Sequence, residues 1–170
     1  MRAPLPLAVL TLLLLAACQR ETGPDPLELT GRMFVFNYRL AYATYLVTLD
    51  RSAPVPGGTV VKAEFENPAG GAPLTLERKL FPGLKRVVLE SPDISCVKKG
   101  KPYKVTILVV GPDGTQLQTL ETQVTSSADQ SILPAQPLVV GSGYDKNPAV
   151  FKNGKAPGHF EMAKCPADAG

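Results

Sequence analysis

The sequence predicts an all-β protein: an antiparallel sandwich of about seven strands, followed by an irregular C-terminal segment. Apolar and polar residues alternate with period two through most of residues 31–125, which is typical of strands with one buried face. Clusters of Gly, Pro, Asn and Asp separate these stretches and predict turns. The chain holds 17 prolines and 15 glycines in 170 residues, a proportion that favours a turn-rich β protein over a helical one.

The alternation predicts individual strands. Each of three stretches places apolar residues on one face: Val61, Ala63 and Phe65; Leu74, Leu76 and Leu80; and Tyr103, Val105, Ile107 and Val109. Residues 33–49 are rich in aromatics and predict either two strands or one long bent strand. Residues 115–125 predict a last strand, with Leu120, Thr122 and Val124 in phase. About seven strands with turns between them are the pattern of an immunoglobulin-like sandwich.

One hairpin adds a resemblance to a known family. Tyr103-x-Val105-x-Ile107-x-Val109 and the Pro-Asp-Gly turn that follows resemble the late hairpin of fibronectin type III and related immunoglobulin-like domains. The resemblance implies that Tyr103 is a corner tyrosine. A plain core tyrosine on an edge hairpin is the alternative. A transthyretin-like arrangement of the same strands is the alternative fold.

The first residues have the parts of a secretory signal. Arg2 supplies a positive charge, an apolar run follows, and small residues precede Cys18. The run from Ala3 to Cys18 is shorter than the ~20 residues that a membrane-spanning helix needs. Residues 1–17 are therefore predicted to be a signal peptide, with an uncleaved transmembrane anchor as the alternative.

The end of this leader is specific to one class of protein. Leu15-Ala16-Ala17-Cys18 resembles the lipobox of bacterial lipoproteins. The resemblance implies cleavage before Cys18 and lipid, such as palmitate, on the new N-terminus. Gln19, where an inner-membrane lipoprotein usually has Asp, favours the outer membrane, facing the periplasm, if the envelope is Gram-negative. Residues 18–30 then form a lipidated N-terminus and tether, and residues 31–125 the sandwich.

Lipidation of Cys18 leaves Cys96 and Cys165 as an even pair. Export places them in an oxidising compartment, which favours a disulfide over two unpaired thiols. Closing a loop of ~70 residues is worth about 4 kcal/mol in the chain-entropy model. The predicted disulfide joins the C-terminal segment to the loop before the Tyr103 strand.

Residues 126–170 form the C-terminal segment, which is predicted to pack on the sandwich. Its prolines and glycines exclude long regular elements, although residues 137–140 could add an edge strand. Aromatics and lysines interleave in it, and the weak candidates for ligand binding are Tyr144, Lys146, Phe151 and Lys152. A solvated tail with a few packed aromatics is the alternative.

The sequence offers no catalytic set, metal site or cofactor. His159 is the only histidine, so a zinc site or a Ser-His-Asp triad would have to be built around it. Its neighbours Gly158 and Phe160 offer no ligand spacing, and a surface loop histidine is expected. Glu64, Glu66, Glu77 and Glu90 are expected to face solvent. The net charge of +3 is too weak and unclustered to indicate nucleic-acid binding.

We therefore expect a lipid-anchored envelope protein that is not an enzyme. Its expected role is that of a binding or scaffolding accessory to a protein partner in a secretion, transport or adhesion assembly. The alternative is a binder of a small ligand or an anionic envelope polymer, through the strand-end loops and the C-terminal segment.

Overall fold

The computed structural model describes residues 24–165, so the predicted signal peptide and Cys18 lie outside the described residues. Its strands are β1 (Leu27–Asn37), β2 (Tyr42–Arg51), β3 (Val60–Phe65), β4 (Leu74–Lys79), β5 (Arg86–Glu90), β6 (Pro102–Val110), β7 (Gln116–Thr125), β8 (Val139–Val140) and β9 (Asp145–Lys146). Two short 3₁₀ turns cover Gln130–Ile132 and Lys152–Gly154. Within residues 24–165, no helix has the length and apolarity to cross a bilayer.

The seven long strands form two antiparallel sheets, which confirms the predicted all-β sandwich. One sheet has the order β1-β2-β5 and the other β4-β3-β6-β7. In a constant-type immunoglobulin domain the fourth strand belongs to the sheet of the first, second and fifth strands. Here β4 pairs with β3 instead. The order is therefore immunoglobulin-like, with the fourth strand on the opposite sheet.

The core lies between the two sheets, where the alternation places it. Val61, Ala63 and Phe65 on β3 are at most 1% exposed, and so are the four predicted inward residues of β6. Rings from both sheets meet in this core: Tyr45 of β2 lies 5.2 Å from Phe65, centroid to centroid. Burial of these side chains is the main source of stability for a sandwich.

One strand boundary differs from the prediction. Residues 33–49 form parts of two strands, which confirms the first of the two alternatives, but β1 already begins at Leu27. Residues 27–30, which were assigned to the tether, therefore belong to the sandwich. A bulge between Leu29 and Gly31 shifts the register and interrupts the period-two pattern there. Leu27 is buried, and the Gln118 side chain of β7 both donates to its carbonyl (2.7 Å) and accepts from its N–H (3.0 Å).

Tyr103 occupies the position that the family resemblance implied. It is the second residue of β6, and its hydroxyl oxygen accepts a hydrogen bond from the N–H of Lys98 at 2.8 Å, five residues upstream. That bond is the mark of a corner tyrosine. The hairpin of β6 and β7 does lie at the edge of its sheet, because β7 is the last strand, and the bond to Lys98 is what distinguishes Tyr103 from a plain core tyrosine. Burial raises the pKa of the Tyr103 hydroxyl, which stays protonated.

The antiparallel strands give the sandwich two ends. The entry end contains the start of β1 and three connections: residues 52–59, 80–85 and 111–115. The distal end contains residues 38–41, 66–73 and 91–101, together with the end of β7. The described part of the C-terminal segment, residues 126–165, therefore leaves the sandwich at the end opposite to the one where the chain enters.

Candidate functional site at the distal end

Backbone hydrogen bonds hold the C-terminal segment on the distal end. The N–H of Gln130 donates to the carbonyl of Val97 at 2.8 Å, and that of Leu138 donates to the carbonyl of Arg39 at 2.8 Å. Leu133 is completely buried and joins the sandwich core. Asn147 fixes the following turn, because its side-chain amide donates to Pro137 and its oxygen accepts from the N–H of Ala149. The segment is therefore ordered against the sandwich despite its prolines.

Cys96 and Cys165 lie at disulfide separation, as predicted. Their Cα atoms are 5.3 Å apart, within the range for a disulfide, across a sequence separation of 69. Next to this bridge the N–H of Ala163 donates to the carbonyl of Leu133. The last described residues therefore run beside the start of the segment, which is fixed to the sandwich at both of its ends.

The predicted edge strand at residues 137–140 takes a different form. Val139–Val140 pairs with Asp145–Lys146 in a hairpin of its own and joins neither sheet of the sandwich. Pro137 has no N–H to donate, and the N–H of Leu138 donates to the carbonyl of Arg39 in the turn between β1 and β2. The prediction of an added edge strand is therefore wrong, although the segment does contact the sandwich there.

The four predicted ligand-binding residues fall into two groups. Tyr144 is 54% exposed, and its ring centroid lies 5.3 Å from the guanidinium carbon of Arg39. Lys146 lies over the Phe151 ring, with 5.7 Å from its amine to the centroid, and the amine also donates to the carbonyl of Gly154. Lys152 is exposed beside Phe151. The structure therefore does not bring the four side chains together as one site.

The first group belongs to a larger exposed surface. We define the distal patch as Tyr38, Arg39, Val140 and Tyr144. Tyr38, Val140 and Tyr144 are 45%, 40% and 54% exposed, and Arg39 joins the two chain segments through its stacking on Tyr144 and its bond to Leu138. Tyrosine and arginine dominate the residues that contribute most to protein–protein binding energy. The sequence pattern gave no reason to connect residues 38–39 with residues 140–144.

A small cavity lies elsewhere in the same segment. It has a volume of about 320 Å³ and mixed walls, in which Pro134, Leu138, Val150 and Phe160 lie beside Gln136, His159 and Glu161. This volume is at the lower limit for ligand pockets. Tyr144 and Phe151 do not line it, so the predicted ligand-binding residues do not form this cavity.

His159 and Glu161 are the ionisable residues that line the cavity. Both are exposed, which agrees with the expectation of a surface histidine. Among residues 24–165, no cluster of three or more His, Cys, Asp and Glu side chains is placed to hold a metal ion. The features of the segment that can contact a ligand or partner are therefore the small cavity, the exposed ring of Tyr144 and the lysine side chains.

One carboxyl group stabilises the start of the segment. Asp129 caps the first 3₁₀ turn, where its side chain accepts a hydrogen bond from the N–H of Ser131 at 3.2 Å. That bond holds the pKa of Asp129 below its ordinary value. The carboxylate is therefore charged near neutral pH and helps to fix the residues that lead to Leu133.

No protein-family model matches the chain, and no curated protein sequence matches it. The chain is weakly similar to several solved structures, and two of them follow. An endonuclease/exonuclease/phosphatase from Beutenbergia cavernae aligns with 56% of this chain at 19% identity and a TM-score of 0.31. The alkylpurine DNA glycosylase AlkC from Pseudomonas fluorescens, bound to DNA containing an abasic site analog, aligns with 60% at 17% identity and a TM-score of 0.30.

The alignments span 27% and 31% of those two proteins. Such low TM-scores carry no argument about the function of this chain. The class that the fold defines is an immunoglobulin-like β-sandwich with a C-terminal segment on its distal end.

Proposed function

We propose that this protein is a lipid-anchored accessory of the bacterial cell envelope that holds a protein partner through its distal patch. In this proposal lipid on Cys18 anchors the chain in the outer membrane, facing the periplasm. The partner is part of a secretion, transport or adhesion assembly. The sandwich is a rigid spacer between the membrane and the binding surface.

The observation that supports this proposal is the separation of the two ends. The chain enters the sandwich at Leu27, while residues 126–165 are packed on the opposite end. An anchor before the entry end would therefore leave the distal patch facing away from the membrane. The disulfide between Cys96 and Cys165 keeps the segment in place without a large core of its own.

The composition of the distal patch favours a protein partner. Its two tyrosines offer flat amphipathic rings, and Arg39 is already oriented by its contact with Tyr144. Rigid aromatic surface loses little conformational entropy on binding. Arg39 and Tyr144 are therefore the residues that we expect to contribute most to the affinity.

The cavity supports a second candidate function. Its volume of about 320 Å³ would admit a small ligand, with Glu161 or His159 at its lining to fix a polar group. A polymer binder through the same segment would use Lys146 and Lys152. Neither candidate requires the distal patch, so substitutions in that patch separate these functions from the proposed one.

The test uses photo-cross-linking in intact envelopes. A photoreactive amino acid in place of Tyr144 should give discrete protein adducts, whereas the same amino acid in place of Thr119, exposed on β7, should not. Arg39→Ala should reduce the Tyr144-position adducts at least tenfold, as expected for a residue that dominates the affinity. Equal adducts at the two positions, or adducts unaffected by Arg39→Ala, would contradict the proposed binding surface.

The anchor has its own test. Cys18→Ser should abolish metabolic labelling with fatty acid and leave the precursor uncleaved, because the thiol that receives the lipid is absent. Labelling that persists in this variant would show that Cys18 is not the anchor. Cys96→Ser is the matched control and should keep the label.

A further inference from the structure

The loop between β4 and β5 exposes an apolar tip at the entry end. Phe81 is 62% exposed and Leu84 is 43% exposed, and Pro82 and Gly83 between them are exposed as well. Isolated exposed apolar residues are common, but a whole loop tip of this kind is a feature of interaction sites. We name residues 81–84 the apolar tip.

The conformation of the tip is fixed by hydrogen bonds on its backbone. The N–H of Leu84 donates to the carbonyl of Phe81 at 3.3 Å, and the Arg51 guanidinium donates to the same carbonyl at 3.2 Å. Leu80, just before the tip, is buried, and its N–H donates to Thr59 at 2.8 Å. The loop is therefore held on the sandwich while the Phe81 and Leu84 side chains remain in solvent.

Positively charged residues precede and follow the tip in the sequence. Lys79, Lys85 and Arg86 flank it, and the sequence from 79 to 89 contains no acidic residue. Arg86 forms an ion pair with Asp50 of β2 at 2.7 Å. The positive charges next to the tip that remain to bind a headgroup are therefore those of Lys79 and Lys85. Apolar side chains next to lysines are the composition of surfaces that enter the interface of a bilayer with anionic lipids.

The chain enters the sandwich beside this loop. The end of β2 contacts both: the N–H of Ser52 donates to the carbonyl of Pro26 at 3.0 Å, and the N–H of Arg51 donates to that of Lys85 at 2.8 Å. Cys18 precedes Pro24 by six residues, which span at most roughly 20 Å when extended. Lipid on Cys18 would therefore keep the entry end close to the headgroups.

We propose that residues 81–84 are a second membrane contact, in which Phe81 and Leu84 enter the interface of an anionic phospholipid bilayer. Lys79 and Lys85 bind its headgroups. The proposal rests on the lipid anchor of the proposed function. Two linked contacts favour each other, because the anchor raises the effective concentration of the tip at the membrane. Together the two contacts would orient the sandwich so that its strands lead away from the membrane and the distal patch lies at the far end.

The absence of tryptophan from the chain provides the experiment. Phe81→Trp places a single fluorescent reporter in the apolar tip, and Tyr144→Trp places one at the distal end as the control. The mature lipidated protein is reconstituted into vesicles of zwitterionic and anionic phospholipids with brominated acyl chains. Emission from the Phe81→Trp variant should shift to the blue and be quenched several-fold more than emission from the control.

Charge is tested in the same assay. Adding Lys79→Ala and Lys85→Ala to the Phe81→Trp variant should lower the ratio of membrane-bound to free tip about tenfold or more, because each lysine near an anionic surface contributes separately. Purely zwitterionic vesicles should give the same loss. Equal quenching with and without anionic lipid would overturn the assignment to anionic phospholipid.

The remaining outcomes separate the two proposals. Lipidated protein whose Phe81→Trp emission matches that of the Tyr144→Trp control would overturn the second contact and leave the anchor intact. A chain without lipid that is still quenched when added to vesicles would support the tip as a contact that does not need the anchor, which has its own test in the Cys18→Ser labelling. Shielding from an aqueous quencher without quenching by bromine would indicate a protein or a second copy on the tip, and would overturn the proposal.

Discussion

The sandwich and the C-terminal segment are stabilised in different ways. In the sandwich, strands pair along their whole lengths and their inward side chains form one continuous core. In residues 126–165, the buried aliphatic side chains are Leu133 and Val139, and order comes from bonds to Val97 and Arg39 and from the disulfide. The sandwich thus provides a stable frame, while the segment depends on that frame and can change its surface at little cost to the fold.

The disulfide gives the largest expected effect. Replacing Cys96 and Cys165 together by serine should lower the free energy of unfolding by about 4 kcal/mol if both regions unfold together. We expect hydrogen exchange to rise first in residues 126–165, because these have few other attachments, while the strands stay protected. Equal loss of protection in β6 and in the segment would show that the two regions form one cooperative unit.

A matched pair of isoleucines compares the two regions directly. Ile107 of β6 is completely buried, whereas Ile132 in the segment is 45% exposed. Ile107→Ala should lower the free energy of unfolding by about 3 kcal/mol, because it removes buried methyl groups and leaves a cavity. Ile132→Ala should change it by less than about 0.5 kcal/mol. Chemical denaturation of both variants measures the contrast, and similar losses would contradict it.

Tyr103 links the stability of the two regions. Its hydroxyl accepts a hydrogen bond from Lys98 in the loop between β5 and β6, and the same loop contains Cys96. Tyr103→Phe leaves the N–H of Lys98 without its acceptor and should cost about 1–2 kcal/mol. Tyr38→Phe removes a hydroxyl from an exposed ring and is the control, with little expected effect. Thermal unfolding of the two variants measures the difference. An unchanged melting temperature for Tyr103→Phe would show that the hydrogen bond to the Tyr103 hydroxyl does not stabilise the fold.

The smallest effect is the pH dependence of an exposed ion pair in the sandwich. A hydrogen bond from Arg86 holds the pKa of Asp50 below its ordinary value of 3.8. The pair therefore stabilises the fold above that pH, and its contribution is lost as pH falls through the lowered pKa. The effect is small because both groups contact solvent. Asp50→Asn should flatten this part of the stability profile below pH ~4, and an identical profile would contradict the assignment.

The sequence predicts the features that depend on local pattern. Alternation predicts the inward faces of β3 and β6, and the Tyr103 motif implies the corner. With Cys18 assigned to lipid, Cys96 and Cys165 remain as a pair. The alternation does not predict the start of β1, because the bulge after Leu29 interrupts it.

The distal patch could not be predicted, because it depends on contacts between residues far apart in sequence. Arg39 meets Tyr144 only after the segment has folded back along the turn between β1 and β2. The same holds for the apolar tip: its composition is visible in the sequence, but its position beside the entry of the chain follows from the strand order. Local pattern therefore predicts elements better than it predicts surfaces assembled from several of them.

The two hydrogen bonds between Leu27 and Gln118 have a mechanical consequence. They attach the first residue of β1 to β7, across the two sheets, at the point where a pull on the preceding chain would enter the fold. A partner held at the distal end would pull in the opposite direction, along the strands. In the proposed function, a pull between the anchor and the partner would therefore load these two bonds before β1 could separate from the sandwich.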